Sequence, residues 1–143
     1  MSREAIETAL FAKLQAAYPW NSSSRVLLHW SDVDQVQQPA MFLAKGPEQI
    51  ITTTRQPSRS MMRFKVYVYA HTLTDAGKAP STVMNAILDA ITAAMHPDSA
   101  SLEVQSLGGL VEWARIEGEI ETDEGLLGEQ AVAIVPITIL SAA

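Results

Sequence analysis

The sequence predicts an α+β fold: a mostly antiparallel β-sheet with two α-helices packed on one face. Helical periodicity occurs in two separate stretches, and strand-like alternation fills most of the chain between and after them. The resulting order is helix, three or four strands, helix, two or three strands, which is typical of α+β architecture. With 143 residues, 48% of them hydrophobic and 18% charged, the chain is expected to form one domain over residues 1–143.

Two stretches carry the helical period. The first begins beside Ser2, whose hydroxyl can cap free N–H groups, and ends before Pro19. The second is expected over residues 81–95 and is stopped by His96-Pro97. The predicted buried stripes are Ile6, Ala9, Leu10, Lys13, Leu14 and Ala17 in the first helix and Val83, Ile87, Leu88, Ile91, Ala94 and Met95 in the second.

Several stretches outside the helices have the composition of strands. Lys45-Gly46-Pro47 is expected to break the chain between two of them, while residues 21–24, 55–60 and 73–79 have the composition of loops. The clearest strand alternates apolar side chains with Arg63, Lys65, Tyr67 and Tyr69. The predicted strands are residues 26–30 (a strand or an extended segment), 39–44, 50–54, 61–72 and 102–105.

The last third of the chain predicts a long hairpin. In its first strand the acidic residues Glu117, Glu119 and Glu121 alternate with Ile116, Gly118 and Ile120, which gives one acidic and one apolar face. A turn containing Gly125 and Gly128 follows. Residues 131–140 are apolar almost throughout, as expected for a strand covered on both faces.

Within this second strand, Pro136 has no N–H to donate, so it should lie at a bulge or at a sheet edge. Its neighbours Ile134 and Val135 are predicted to be core residues. Trp30 and Trp113 are predicted to be core or interface anchors, because tryptophan combines a large apolar surface with a polar N–H.

Charge is distributed unevenly along the chain. Residues 45–65 carry five bases against one acid, and residues 98–129 carry nine acids against one base. The two blocks could pair within one subunit as neighbouring strands. Alternatively, a basic edge could meet the acidic edge of another copy, because head-to-tail contacts between unlike surfaces close into rings. The candidate interface residues are Arg55, Arg59, Arg63, Lys65, Glu117, Glu119 and Glu121.

The residues that usually carry catalysis do not form a recognisable constellation, so an enzyme is not expected. There is no cysteine, and His29, His71 and His96 lie in separate segments without nearby partner ligands, so no cofactor and no metal are predicted. The acidic stretch lacks the spacing of a calcium loop, and three glutamates on one strand share one environment, unlike an acid–base pair. Ser22, Ser23 and Ser24 lack the context of a nucleophile.

Composition also limits the partners. The net charge of −6 argues against a dedicated nucleic-acid binder, as do the tryptophans, which are spread along the chain and not interleaved with basic residues. The N-terminus lacks the apolar run of a signal peptide, and the longest apolar run is about half of what a membrane-spanning helix needs. We therefore expect a soluble protein without a membrane partner.

Six segments that follow one another along the chain carry a resemblance to a known family. They are His29-Trp30-Ser31-Asp32-Val33, Gln38-Pro39-Ala40-Met41-Phe42-Leu43-Ala44, residues 83–91, Gly108-Gly109-Leu110-Val111, residues 113–125 and residues 131–137. In this order they resemble the tail terminator (tail-completion) proteins of long-tailed bacteriophages. Together they touch most of the chain, and their combination rather than any catalytic motif carries the resemblance.

The resemblance implies a small structural subunit that forms a homo-oligomeric ring, usually of six copies. Such a ring caps the completed tail tube, stops its polymerisation and offers the surface that joins the head. The implied partners are the tail tube protein and a head-completion or connector protein, with DNA only passing through the lumen. The implied location is the tail or neck of a virion made in the host cytoplasm.

Two alternatives stay open from the sequence. Another neck component, such as a head-closure or connector protein, would have similar composition. A small-ligand-binding α+β domain would require a concave apolar pocket with a few convergent polar groups.

Overall fold

The computed structural model describes residues 1–71, 80–123 and 130–143. Over these residues the predicted α+β fold is confirmed, with two helices and a six-stranded, mostly antiparallel sheet. The predicted loop at 73–79 and the turn with Gly125 and Gly128 lie outside the described residues. The elements are α1 (Arg3–Ala17), β1 (Ser22–Ser24), β2 (Ala40–Ile51), β3 (Arg59–His71), α2 (Pro80–Ala94), β4 (Trp113–Ile116), β5 (Glu121–Asp123) and β6 (Gln130–Ala142).

The sheet has the order β1-β2-β3-β6-β4, and β5 pairs with β6 on the same side as β4. Three long strands, β2, β3 and β6, form its centre. Within the described residues, β1 and β2 are the one parallel pair, and the other pairs are antiparallel. The short strands therefore lie at the two edges of the sheet.

Both helices cover one face of the sheet, as predicted. The Ser2 hydroxyl accepts a hydrogen bond from the Ala5 N–H (3.2 Å), so the first helix is capped where expected. Its stripe packs against the buried residues of α2 and of the central strands. In α2 the prediction missed Met84, which is buried, whereas Val83 and Leu88 are only partly buried, because they lie on either side of the buried stripe. The helix contributions are Ile6, Leu10, Leu14, Met84, Ile87, Ile91 and Met95.

Residues 26–30, expected to be a strand or an extended segment, form no strand, and residues 21–24, expected to be a loop, contain β1 instead. β1 pairs with residues 40–42 of β2, and the Ser22 hydroxyl donates to the Gln37 carbonyl (2.9 Å). An edge strand needs backbone pairing rather than an apolar side-chain pattern, so three serines suffice. The apolar residues Val26, Leu27 and Leu28 are left 71%, 42% and 39% exposed.

The predicted break at Lys45-Gly46-Pro47 is a bulge inside one continuous strand, β2, so the strands predicted at 39–44 and 50–54 belong to a single element, which ends at Ile51. A Cβ on Gly46 would lie 3.0 Å from the Arg63 carbonyl oxygen. Glycine is therefore required here because the backbones of β2 and β3 approach closely. The irregularity bends the strand without ending it.

The first strand of the predicted hairpin is also interrupted. Between the pairs Ile116↔Ile137 and Glu121↔Ile134, residues 117–120 stand opposite only Val135 and Pro136. The Glu117 N–H donates to the Pro136 carbonyl (3.2 Å), but Pro136 has no N–H to return, so the ladder stops there. The prediction that Pro136 lies at a bulge is therefore confirmed. The predicted apolar face is wrong at Ile120, which is 37% exposed.

The predicted strand at residues 102–105 is reduced to isolated bridges, Ser99↔Val104 and Gln105↔Ala114. Leu102, which the pattern placed in a strand, is exposed. The Asp98 carboxylate organises this connection by accepting hydrogen bonds from the N–H groups of Ser106 (2.8 Å) and Gly108 (3.1 Å). These bonds favour a turn over an extended segment.

Candidate interaction face

The face of the sheet that carries no helix is the candidate functional surface, and we call it the free face. Strand residues point alternately to the two sides, so β3 and β6 supply both the core and this face. The helix-covered side takes Phe64, Val66, Val135 and Ile137, all at most 1% exposed. The free face is formed by Met61, Arg63, Lys65, Tyr67 and Tyr69 of β3 and Val132, Ile134, Pro136, Thr138 and Leu140 of β6.

Val135 lies in the core, whereas the expectation that Ile134 is a core residue is wrong. Ile134 is only partly buried on the free face, because the neighbouring residue of a strand must point to the opposite side. Tyr67 lies directly opposite it on β3. This places Ile134 in a surface available for contacts rather than in the helix-covered core.

One half of the free face is partly covered by the segment between β1 and β2. Trp30 and Val33 of this segment pack near Phe42 and Tyr69, which form a second small apolar cluster. Trp30 is thus an anchor on this face and not part of the main core. The Tyr69 hydroxyl donates to the Leu28 carbonyl (2.8 Å), and burial raises the pKa of Tyr69 above its ordinary value.

Two buried glutamines fasten the same segment to β6. The Gln38 side-chain amide donates to Gln130 Oε1 (2.7 Å) and to the Val33 carbonyl (3.2 Å). Gln130 in turn donates to the Trp30 carbonyl (3.1 Å). Buried polar groups require such partners, so these bonds fix the position of Trp30 over the sheet.

The segment and the sheet enclose a groove of about 570 Å³, which we call the aromatic groove. Its walls combine aromatic and aliphatic side chains, and carboxylates stand at the β5 border. Apolar walls with a few polar groups are typical of binding sites. The lining residues are Leu27, Leu28, His29, Trp30, Tyr67, Tyr69, Glu121, Thr122, Asp123, Val132 and Ile134.

The other half of the free face is basic. Arg63 on β3, Thr138 on β6 and Arg115 on β4 lie side by side across three strands. The Arg115 guanidinium lies 3.8 Å from the centre of the Trp113 ring and bonds Glu117 at 3.0 Å. Trp113 is consequently a partly exposed platform for a cation rather than a core residue.

The predicted basic interface residues do not share one environment. Arg63 and Lys65 are exposed and form no ion pair with any described residue. Arg59 instead binds Glu112 at 2.6 Å within the subunit, and this hydrogen-bonded pair holds the pKa of Glu112 below its ordinary value. Arg55 lies apart, in the exposed turn between β2 and β3. Internal pairing therefore accounts for Arg59.

The three predicted acidic interface residues are also separated. Glu117 bonds Arg115, Glu119 lies in the exposed stretch between β4 and β5, and Glu121 borders the aromatic groove. Glu124 and Glu129, which belong to the acidic block of the sequence, lie outside the described residues. The stretch between β4 and β5 has two residues more than the part of β6 that it faces. Because two is an even number, Glu121 stays on the same face of the sheet as Ile134.

Sequence reasoning missed the aromatic groove, although part of its signal was present. The alternation of β3 placed Tyr67 and Tyr69 away from the core, on the same side of the strand as Arg63 and Lys65. Gln38 and Gln130, by contrast, are 92 residues apart and carry no local signal. Only their pairing in the fold identifies them.

The described residues offer groups suited to binding. No group of three or more potential metal ligands occurs among them. Neither of the described helices is both long enough and apolar enough to cross a bilayer. What remains is an aromatic and apolar surface, bordered by carboxylates at one end and by guanidinium and ammonium groups at the other.

The fold defines a class of small α+β proteins in which one helical layer covers a sheet and leaves the opposite face free. No protein-family model and no curated protein matches the sequence. The chain is similar in structure to a chain of the virion of a native gene transfer agent (GTA) particle, with a TM-score of 0.52 and 11% sequence identity. The match covers 96% of this chain and 95% of that chain. At this identity, the similarity concerns the fold.

Proposed function

We propose that this protein is a virion structural protein of a phage-like particle, and specifically the tail terminator that caps a completed tail tube. The sequence segments that resemble tail terminators support this, as does the near-complete structural match to a chain of a gene transfer agent virion. The single observation that carries the proposal in this chain is the free face. It presents partly exposed aromatic side chains, such as Tyr67, in one half and exposed charged side chains in the other, as expected of a subunit that contacts other copies.

In this function the chain acts through surfaces rather than through catalysis. A ring, expected to contain six copies, matches the last ring of the tube protein with one side and so ends polymerisation. Its other side offers no copy of the growing tube surface and binds a head-completion or connector protein. The shape of the assembled ring, and not a chemical step, ends polymerisation and joins the head.

The exposed acidic stretch fits the passage of DNA through such a ring. Glu119 lies at the surface between β4 and β5, and Glu117 lies beside it. Carboxylates that line a lumen repel phosphates and avoid holding DNA in transit. We therefore assign the lumen role to Glu119 first, because Glu117 is partly neutralised by Arg115 at 3.0 Å.

The decisive experiment is the assembly of tails with and without this protein, observed by negative-stain electron microscopy. Without the protein, tubes should be overlong and should not join heads; adding the wild-type protein should restore tails of uniform length. Arg63→Glu with Lys65→Glu should fail to cap while keeping the wild-type melting temperature, because both side chains are exposed and unpaired among the described residues.

A matched control is available in the other basic residue of β3. Exchanging the charges of the internal pair, Arg59→Glu with Glu112→Arg, keeps an ion pair and should leave capping intact. Uniform tails formed in the absence of the protein would contradict the terminator function. Protein found on tailless, DNA-filled heads would instead favour a head-closure or connector role.

The aromatic groove favours one further candidate, a small-ligand-binding domain. Its volume of about 570 Å³ lies within the range of about 300–1,000 Å³ that is typical of ligand sites. Native mass spectrometry of the purified protein tests this, because a ligand-binding domain should retain or select a small molecule of defined mass.

A further inference from the structure

The aromatic groove has the chemistry of a receptor for a cation with an apolar stem. Trp30, Tyr67 and Tyr69 line it, and Glu121 and Asp123 stand at its border. Aromatic faces attract guanidinium groups, and carboxylates bind them through paired hydrogen bonds. Glu121 is exposed and forms no ion pair with any described residue. A matching occupant would thus carry an arginine at the tip of a projecting segment.

The chain itself contains such a segment, the turn at residues 52–58 between β2 and β3. A hydrogen bond from the Gln56 N–H to the Thr53 carbonyl (3.1 Å) closes it, and residues 52–57 are exposed. Arg55 adopts φ +65° at this turn. A positive φ is unfavourable for arginine, and glycine or asparagine would adopt it more easily. The turn nevertheless holds Arg55 in this conformation, at an exposed position.

The turn and the groove lie at opposite ends of the same strand. Arg59 begins β3, and Tyr67 lies eight residues further along it, a distance of roughly 26 Å at about 3.3 Å per residue. Arg55 therefore cannot reach the groove of its own subunit. A contact between the two must join different copies, and because the two surfaces are unlike, the contact is head-to-tail and can be repeated around a ring.

We infer that the 52–58 turn of one copy inserts Arg55 into the aromatic groove of the next copy, where its guanidinium lies against Tyr67 and pairs with Glu121. This inference rests on the proposed ring function and names the contact that closes the ring. Arginine suits the groove better than lysine, since its planar group both stacks on aromatic rings and binds a carboxylate with two hydrogen bonds.

Cross-linking between single-cysteine variants tests the contact directly, because the chain has no cysteine of its own. Arg55→Cys and Glu121→Cys proteins are mixed at high concentration and on tail tubes, then treated with a short bis-maleimide. A spacer is needed because an arginine and a glutamate that meet at their side-chain tips hold their Cα atoms further apart than the limit of about 7 Å for a direct disulfide. We expect mixed dimers between the two variants, and a ladder up to the ring number from the double variant.

The controls use the same chemistry. Each single variant alone should yield few dimers, and Asp89→Cys, on the exposed side of α2, should not cross-link with Glu121→Cys. Both test positions are at the surface, and unchanged circular dichroism checks that the variants fold. Cross-linking of Asp89→Cys as efficient as that of Arg55→Cys would show random collision and would overturn the inference.

Charge reversal supplies an independent measurement. Arg55→Glu and Glu121→Arg should each weaken self-association at least about tenfold, and the double variant should recover most of that loss, since complementary charge is restored. Sedimentation equilibrium measures the association. Equal losses that add in the double variant would contradict a direct contact between these residues.

The outcomes separate this contact from the proposed function. Capped tails that carry a ring but show no link between positions 55 and 121 would overturn the contact and leave the terminator function standing. Tails of uniform length formed without the protein, together with no oligomer under any condition, would overturn both. A small molecule that the monomer retains in the groove, and that Trp30→Ala loses, would also overturn the proposed contact between Arg55 and the groove.

Discussion

The two faces of the sheet are built from alternate residues of the same strands, yet they differ in kind. On the helix-covered face, Phe64, Val66, Val135 and Ile137 pack against two helices and are almost completely buried. On the free face, the same strands present charged residues at one end and aromatic residues at the other.

The same contrast holds for the charges. Beside the helical layer, Arg3 binds Glu48 at 2.8 Å, and Arg25 binds Glu4 at 2.6 Å and Glu7 at 2.9 Å. On the free face, Arg115 binds Glu117 at 3.0 Å, but Arg63, Lys65 and Glu121 form no ion pair with any described residue. In the proposed function, the helix-covered face stabilises the fold and the free face supplies the contacts of assembly.

The largest expected effect compares two isoleucines of β6. Ile137→Ala removes a fully buried side chain and should cost about 2–5 kcal/mol of unfolding free energy, because a cavity remains in the core. Ile134→Ala makes the same change on the free face and should cost less than about half of that. Urea unfolding measures both. Equal losses would mean that the free face is as tightly packed as the core.

The second prediction concerns the glutamines that fix the segment over the free face. Gln130→Ala removes the partner of Gln38 and of the Trp30 carbonyl, and should destabilise the protein by about 1–3 kcal/mol. Gln35→Ala, an exposed change in the same segment, serves as the control. Hydrogen exchange should accelerate in residues 29–38 and stay unchanged in α1. A uniform acceleration throughout the chain would contradict a local role.

The smallest effect is on the pH dependence of stability. The hydrogen bond from Arg3 holds the pKa of Glu48 below its ordinary value of 4.5, so the charged form is favoured in the folded state. This contribution is present above pH 4.5 and is lost as the pH falls through the lower folded value. Glu48→Gln should therefore flatten the decline of the melting temperature below pH 4.5. An unchanged decline in this variant would place the effect elsewhere.

Local patterns predicted those elements whose environment repeats along the chain. The alternation of β3 identified Phe64, Val66, Val68 and Ala70 as its buried face, and the spacing of α1 identified its stripe. The errors occur where backbone pairing between strands overrides the side-chain pattern of the sequence. β1 consists of three serines, which an apolar pattern cannot reveal. Gly46-Pro47 predicts a break in the strand, but pairing with β3 continues on both sides of it, so that β2 contains a bulge instead.

The candidate site could likewise be predicted from the sequence only in part. The sequence separated basic from acidic residues and indicated that charge would matter for assembly. It could not distinguish Arg59, which forms an ion pair with Glu112 within the subunit, from Arg63, which forms no ion pair with any described residue. Glu112 is 53 residues from Arg59, so only the register of the strands brings the two together.

The sequence by itself determined the fold class, the helix-covered core and the presence of separate charged blocks, because these depend on periodicity and composition within short stretches. The tertiary structure decided which face stays open, which charges are paired internally, and that a groove forms between the segment before β2 and the β5 edge. Each of these depends on contacts between residues far apart in the chain. Their free energy comes from packing and hydrogen bonds that exist only once the strands have found their register.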